Sequence, residues 1–171
     1  MADITAKLVS DYFTGNWACE IFINGEHHNN LEFLCEEESG KSGVPRVKLT
    51  WWLLSDNHNL EAKDNQIIVV WRSDLRCWVN MWYNESGGYN ELQWTSQEEV
   101  NGNTVLYGYL LERLPEGGFP NEYIAMCELQ DQNSFKYTIL SYRKGILEMF
   151  AKRTGGHVVM NSMAKEEEQV K

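Results

Sequence analysis

The chain of 171 residues has the length of one ordinary domain, and at 43% hydrophobic it can bury a core, which excludes wholesale disorder. Its 15 Lys and Arg against 25 Asp and Glu leave a net charge of -10. That excess of acid disfavours nucleic acid, whose binders neutralise phosphates with cations, and it disfavours anionic membrane surfaces.

Residues 3–13 carry apolar groups at Ile4, Leu8, Val9, Tyr12 and Phe13, a helical spacing over a short segment. The period then changes to two. Trp17, Cys19, Ile21 and Ile23 alternate with Ala18, Glu20, Phe22 and Asn24, and Asn24-Gly25 follows as a turn dipeptide. His27 and His28 are read into that Asn-rich turn. A second strand covers Leu31 to Cys35, ahead of an acidic run and a loop over 39–43. A third sets Val47, Leu49, Trp51 and Leu53 against Lys48, Thr50 and Trp52. Turn residues Asp64-Asn65 precede the β-branched run Ile67 to Trp71, and Cys77 to Tyr83 follows before a turn at 85–88.

The second half keeps the habit. Asn90, Leu92 and Trp94 alternate with Glu91, Gln93 and Thr95, and Asn101-Gly102 is the strongest hairpin signal in the chain. Thr104 to Leu111, Tyr123 to Leu129 and Phe135 to Tyr142 read as strands. After a turn at Lys144-Gly145, Leu147, Met149, Ala151 and Arg153 close the series. About ten short strands joined by hairpins, behind one short helix, predict an all-β fold. Its expected form is a single antiparallel up-and-down β-barrel of about eight to ten strands. The barrel spans 1–156, and 157–171 is expected to be a solvated, mobile tail.

Gly15-Asn16-Trp17 opens the first strand and Arg153 ends the last. This resembles the lipocalin or calycin pattern, in which a late Arg stacks on the Trp of an early Gly-x-Trp. Trp78-Val79-Asn80-Met81-Trp82, Glu99-Val100-Asn101-Gly102, Glu128-Leu129-Gln130-Asp131 and the ending Lys152-Arg153 are similar to bacterial lipocalin-like domains of unknown function. The resemblance covers 13–154. It implies that Trp17 and Arg153 touch at the barrel base, as structural residues. The Thr-Asp-Tyr turn of secreted lipocalins is missing, as are evident disulfides.

Twenty-one aromatic residues (7 Trp, 8 Tyr and 6 Phe) are many for a solid small barrel. Trp51, Trp71, Tyr83, Trp94, Tyr109, Tyr123 and Tyr137 suit the wall of an apolar pocket, although aromatics also fill ordinary β cores. Face assignment stays open for Trp78, Trp82 and Val105 to Leu111, where both faces are apolar. Such two-sided strands also fit a homodimer interface. By parity Asn90, Ser141 and Arg143 are interior polar candidates. Arg72 either meets a ligand carboxylate or caps the barrel rim. Glu91, Glu128 and Asn80 have apolar neighbours; the two glutamates read best as solvent-face residues, the alternative being a general acid or base in an aromatic pocket.

Met1 to Phe13 carries acids and lacks the apolar stretch of a signal peptide, so a cytoplasmic protein is expected. Cys19, Cys35, Cys77 and Cys127 form no CxxC pair and read as buried, unpaired thiols. His58 reads into another turn, and His157 is a lone late histidine. No metal, cofactor or catalytic fingerprint is present. Two function classes stay open: a carrier of a small apolar or aromatic ligand, and a barrel enzyme (isomerase, cyclase or lyase) acting on one.

Overall fold

Two turns show how the chain reverses so tightly. Asn24-Gly25 has φ of 52° and 81°, and Asn101-Gly102 has 52° and 84°. These left-handed pairs match the twist of the strands they join. The computed structural model describes residues 2–3, 5–38, 43–54, 66–83, 89–118, 120–142 and 145–155. The expected features at 39–42, His58, Asp64-Asn65, 85–88, Arg143, Lys144, His157 and the tail 157–171 lie outside the described residues.

A two-residue strand β1 (Ala2–Asp3) and helix α1 (Leu8–Phe13) precede ten longer strands. These are β2 (Gly15–Ile23), β3 (Glu26–Glu37), β4 (Arg46–Leu54), β5 (Gln66–Arg72), β6 (Cys77–Tyr83) and β7 (Tyr89–Val100), then β8 (Asn103–Arg113), β9 (Asn121–Asp131), β10 (Ser134–Tyr142) and β11 (Gly145–Thr154). Each pairs antiparallel with the next, and β11 returns to β2, so the meander closes as an up-and-down barrel of ten strands. Closure leaves these strands no free edge. No helix among the described residues is long and apolar enough to cross a membrane.

Two local readings differ. His27 and His28 are not in the turn but exposed in β3, because the two-residue turn already reverses the chain. The helix is shorter than the apolar spacing over 3–13 suggests. Ala2 and Asp3 pair instead with Gln97 and Ser96 of β7, and the Thr5 carbonyl accepts a hydrogen bond from Trp78 Nε1 at 3.0 Å. Tertiary partners override local propensity there.

The register fixes which side chains point inward. Trp17 lies opposite Arg153 and Phe33, and Cys19 opposite Ala151 and Leu31. Followed around the ring, the inner face takes Val47, Val69, Trp78, Leu92, Leu110, Ala125, Cys127 and Phe135, all buried. At the α1 end the ring is sealed by one arginine. Its guanidinium carbon sits 4.3 Å from the Trp17 ring centroid. Its nitrogens donate to the carbonyls of Tyr12 and Thr14 at 2.6 Å and of Gln132 at 3.1 Å. Gly15 makes room: it has φ +125°, and a Cβ there would come within 2.8 Å of Arg153 Nη1.

Arg153→Ala should therefore lower unfolding stability by about 2 kcal/mol, the sum of a stacked cation and charged hydrogen bonds. Arg153→Lys should recover only part, because an ammonium lacks the planar fork. Urea unfolding followed by tryptophan fluorescence measures both; wild-type stability in Arg153→Ala would refute the closure role.

Candidate functional site

The two halves of the interior differ. Toward α1, aromatic rings fill the barrel. Trp17 lies edge-on to Phe135 at 4.9 Å and stacks on Phe33 at 6.1 Å. Phe13 meets Phe135 at 5.2 Å, and Tyr12 stacks on Trp17 at 5.8 Å. Tyr12 directs its hydroxyl at the carbonyls of Asp131 and Ser134, which binds the helix to the β9–β10 hairpin. Trp71 packs edge-on against the fully buried Trp78 at 5.8 Å. Offset and edge-on contacts of this kind suit the ring quadrupoles.

Away from α1 the wall changes character. Leu31, Leu49, Trp51, Ile67, Tyr137, Leu147 and Met149 share the inward parity yet are only half-buried. Trp94 and Tyr137 meet edge-on at 5.9 Å across the interior. Gly108 lies opposite Trp94, and a Cβ there would come within 2.5 Å of the Gln93 carbonyl and 3.0 Å of Trp94 Cε3. The missing side chain lets the indole lie across β8.

Polar groups gather in this same half, on β6 to β9. Asn90 pairs with Trp82 on one side and Glu112 on the other, and Glu112 pairs with Asn121. Glu112 is 7% exposed. Its Oε2 accepts from the Tyr123 hydroxyl at 3.2 Å and from Asn121 Nδ2 at 3.4 Å. The Oδ1 atoms of Asn80 and Asn90 are buried without a hydrogen-bond partner.

Among the residues anticipated from sequence, Trp51, Trp71, Asn90, Trp94, Tyr123 and Tyr137 come together on the inner face. Tyr109 does not: it is 55% exposed on the outer face, because Gly108 and Leu110 take the inward positions of β8. Arg72 is also outside the wall. It forms a two-point ion pair with Asp74 at 2.9 and 2.7 Å on the β5–β6 turn, at the α1 end, which is the rim role. The Tyr83 backbone pairs with Tyr89, but its side chain lies outside the described residues, as does that of Ser141. Glu91 accepts from Tyr89 and Gln93, and Glu128 from Asn103; both lie on the outer parity. The face of Trp82, open in the sequence, is the inner one, and Asn121 and Glu112 were not among the anticipated residues. The repeat Leu106, Gly108, Leu110, Glu112 was the signal, hidden by the apolar residues between.

The four cysteines are free and buried. Burial pushes the Cys19 and Cys35 thiols up to about 12 from the ordinary 9.0, with Glu32 and Glu36 adding to it. Cys127 is pushed up by burial too, with Glu128 beside it. Among the described residues no three His, Cys, Asp or Glu side chains group as a metal site.

Compared with known proteins, the chain matches no family model, no curated protein and no solved structure.

The thiols make a two-part prediction. In denaturant all four should titrate with a thiol reagent, and in the native state at about pH 8 they should react slowly, because buried neutral thiols are inert. Unfolded thiols ionise near 9.0 while folded Cys19 and Cys35 hold their protons to about 12, so stability should fall as pH rises across that window. Thermal unfolding between those pH values measures it; a Cys19→Ala, Cys35→Ala variant should show a shallower fall.

Proposed function

We propose that the barrel binds a small, largely apolar, planar molecule in its half distal to α1. The observation that carries this reading is the half-exposure of inward-facing Leu49, Trp51, Ile67, Tyr137 and Met149 inside a closed ring of strands. Apolar side chains that face a barrel axis and still meet solvent line open space. Trp51, Trp94 and Tyr137 then offer flat faces and edges to a planar guest. Kinship with lipocalins and calycins is part of the proposal. Its support is Arg153 over Trp17, beside a short helix at the base of an up-and-down barrel. Free, buried thiols suit the reducing conditions of the cytoplasm.

A second reading, a barrel isomerase, cyclase or lyase, has one observation in its favour: the carboxyl of Glu112 paired with the Tyr123 hydroxyl on the inner wall. A carboxyl and a phenol in contact can hold and pass a proton. Chemical change of a bound ligand that disappears in Glu112→Gln would select it. Unchanged ligand recovered after long incubation selects the carrier.

A homodimer through the outer face is also proposed. Tyr109 and Ile124, 55% and 50% exposed, pair across β8 and β9 as an apolar spot on the outside of the sheet. Tyr109→Lys should shift the sedimentation coefficient to that of a monomer; a monomeric wild type would remove the idea.

For binding, planar apolar ligands should change tryptophan fluorescence, and Trp51→Ala or Trp94→Ala should weaken affinity by about 1 kcal/mol, the scale of one aromatic pair. A panel that leaves the emission of the wild type untouched, with no heat of binding, would refute a ligand barrel.

A further inference from the structure

We infer that the guest carries an N–H donor on the edge of its planar body, as an indole, a pyrrole or a cyclic amide does, and that this edge meets the side-chain amides of Asn80 and Asn90. This rests on the ligand-barrel reading above and adds the chemical class of the guest. Asn90 lies directly opposite Trp82, and Asn80 comes two residues before Trp82 on the same strand. All three share the inner parity of β6 and β7 with the buried Trp78 and Leu92. The two amides are thus diagonal neighbours beside one indole, close enough to meet the same guest.

Both amides hold an acceptor that the chain leaves unused. The Oδ1 atoms of Asn80 and Asn90 are buried and lack a hydrogen-bond partner. Buried acceptors are nearly always satisfied, and an unsatisfied one destabilises the fold. Asn80 sits in the ladder between Val69 and Leu92, which are 2% and 3% exposed and have no side-chain donor to offer. Two such acceptors on one wall are met by a donor from the guest. The plane of an Asn amide turns about χ2 between broad settings, so the oxygen can swing to a guest without any shift of the strand. A neutral amide oxygen accepts and does not donate, so it selects an N–H over a group that brings acceptors alone. In a ring N–H the donor lies in the plane of the apolar body. Both faces of the guest stay free for the aromatic wall, and no full charge has to leave water.

Calorimetry with three probes of one planar shape tests this: indole, benzofuran and 1-methylindole. Indole should bind about tenfold tighter than benzofuran, which puts an oxygen in place of the N–H at nearly the same volume. 1-Methylindole, its donor blocked, should lose that preference. Asn80→Leu and Asn90→Leu each replace an amide at similar volume. Either should bring indole toward the affinity of benzofuran and leave benzofuran unchanged. Should one variant fail to fold, the wild-type series and the other variant decide. Equal binding of indole and benzofuran to the wild type overturns the donor inference and leaves the ligand barrel standing. A preference for indole that persists in both variants overturns the assignment to Asn80 and Asn90. Failure of all three probes to bind overturns the ligand barrel as well.

Discussion

Arg153 on Trp17 is the contact on which this barrel turns. A meander of ten strands becomes a barrel only if its last strand finds its first. Backbone pairing of β11 with β2 does that, but the ladder alone would leave the end of α1 with unpaired carbonyls. Arg153 takes two of the carbonyls there, Tyr12 and Thr14, and reaches the β9–β10 turn through Gln132. Its flat face meanwhile covers an indole. Lysine carries the same charge but cannot make these bonds from one plane. Helix, first strand, last strand and a distant hairpin are thus joined through one side chain, with a glycine at 15 to let it pass.

Sealing one end decides what the other end can be. The rings of Tyr12, Phe13, Trp17, Phe33 and Phe135 crowd the α1 half, and Trp78 is held to Thr5. The distal half keeps its half-exposed Trp51 and Tyr137 and its polar rank on β6 to β9. Core and candidate site therefore occupy successive lengths of one barrel axis. A core substitution near Phe33 and a site substitution near Asn90 should be separable in their effects.

How much of this was legible follows from the chemistry of each strand. Where one face is polar, a single residue fixes all the others: Lys48 and Thr50 place Trp51 inside, Glu91 and Gln93 place Trp94, Lys136 and Thr138 place Tyr137. Where both faces are apolar, period two carries no direction. In β8 the outward Tyr109 is as hydrophobic as the inward Leu110. The register also shifts between Trp94 and Ser96, so parity cannot be carried through β7 by counting. Tyr109 and Glu112 were misplaced or missed for that one reason. The Gly-x-Trp and final Arg were legible because their pairing is required by closure itself. Arg72 was ambiguous until Asp74, two residues on, was seen to occupy its guanidinium.

The inward polar residues also stand on unusually firm ground. Asn80, Asn90, Glu112 and Tyr123 belong to strands paired on both sides in a ring without edges. Their backbones are fixed by the ladders on either side, so no loop has to be ordered to place them. Two unpartnered amide oxygens can persist there because the barrel wall does not collapse onto them: the ladder fixes its circumference, and Gly108 already holds Trp94 against β8. A looser scaffold would bend until such acceptors found donors or water. In this one, closure supplies the stability that lets the Oδ1 atoms of Asn80 and Asn90 stay unpartnered.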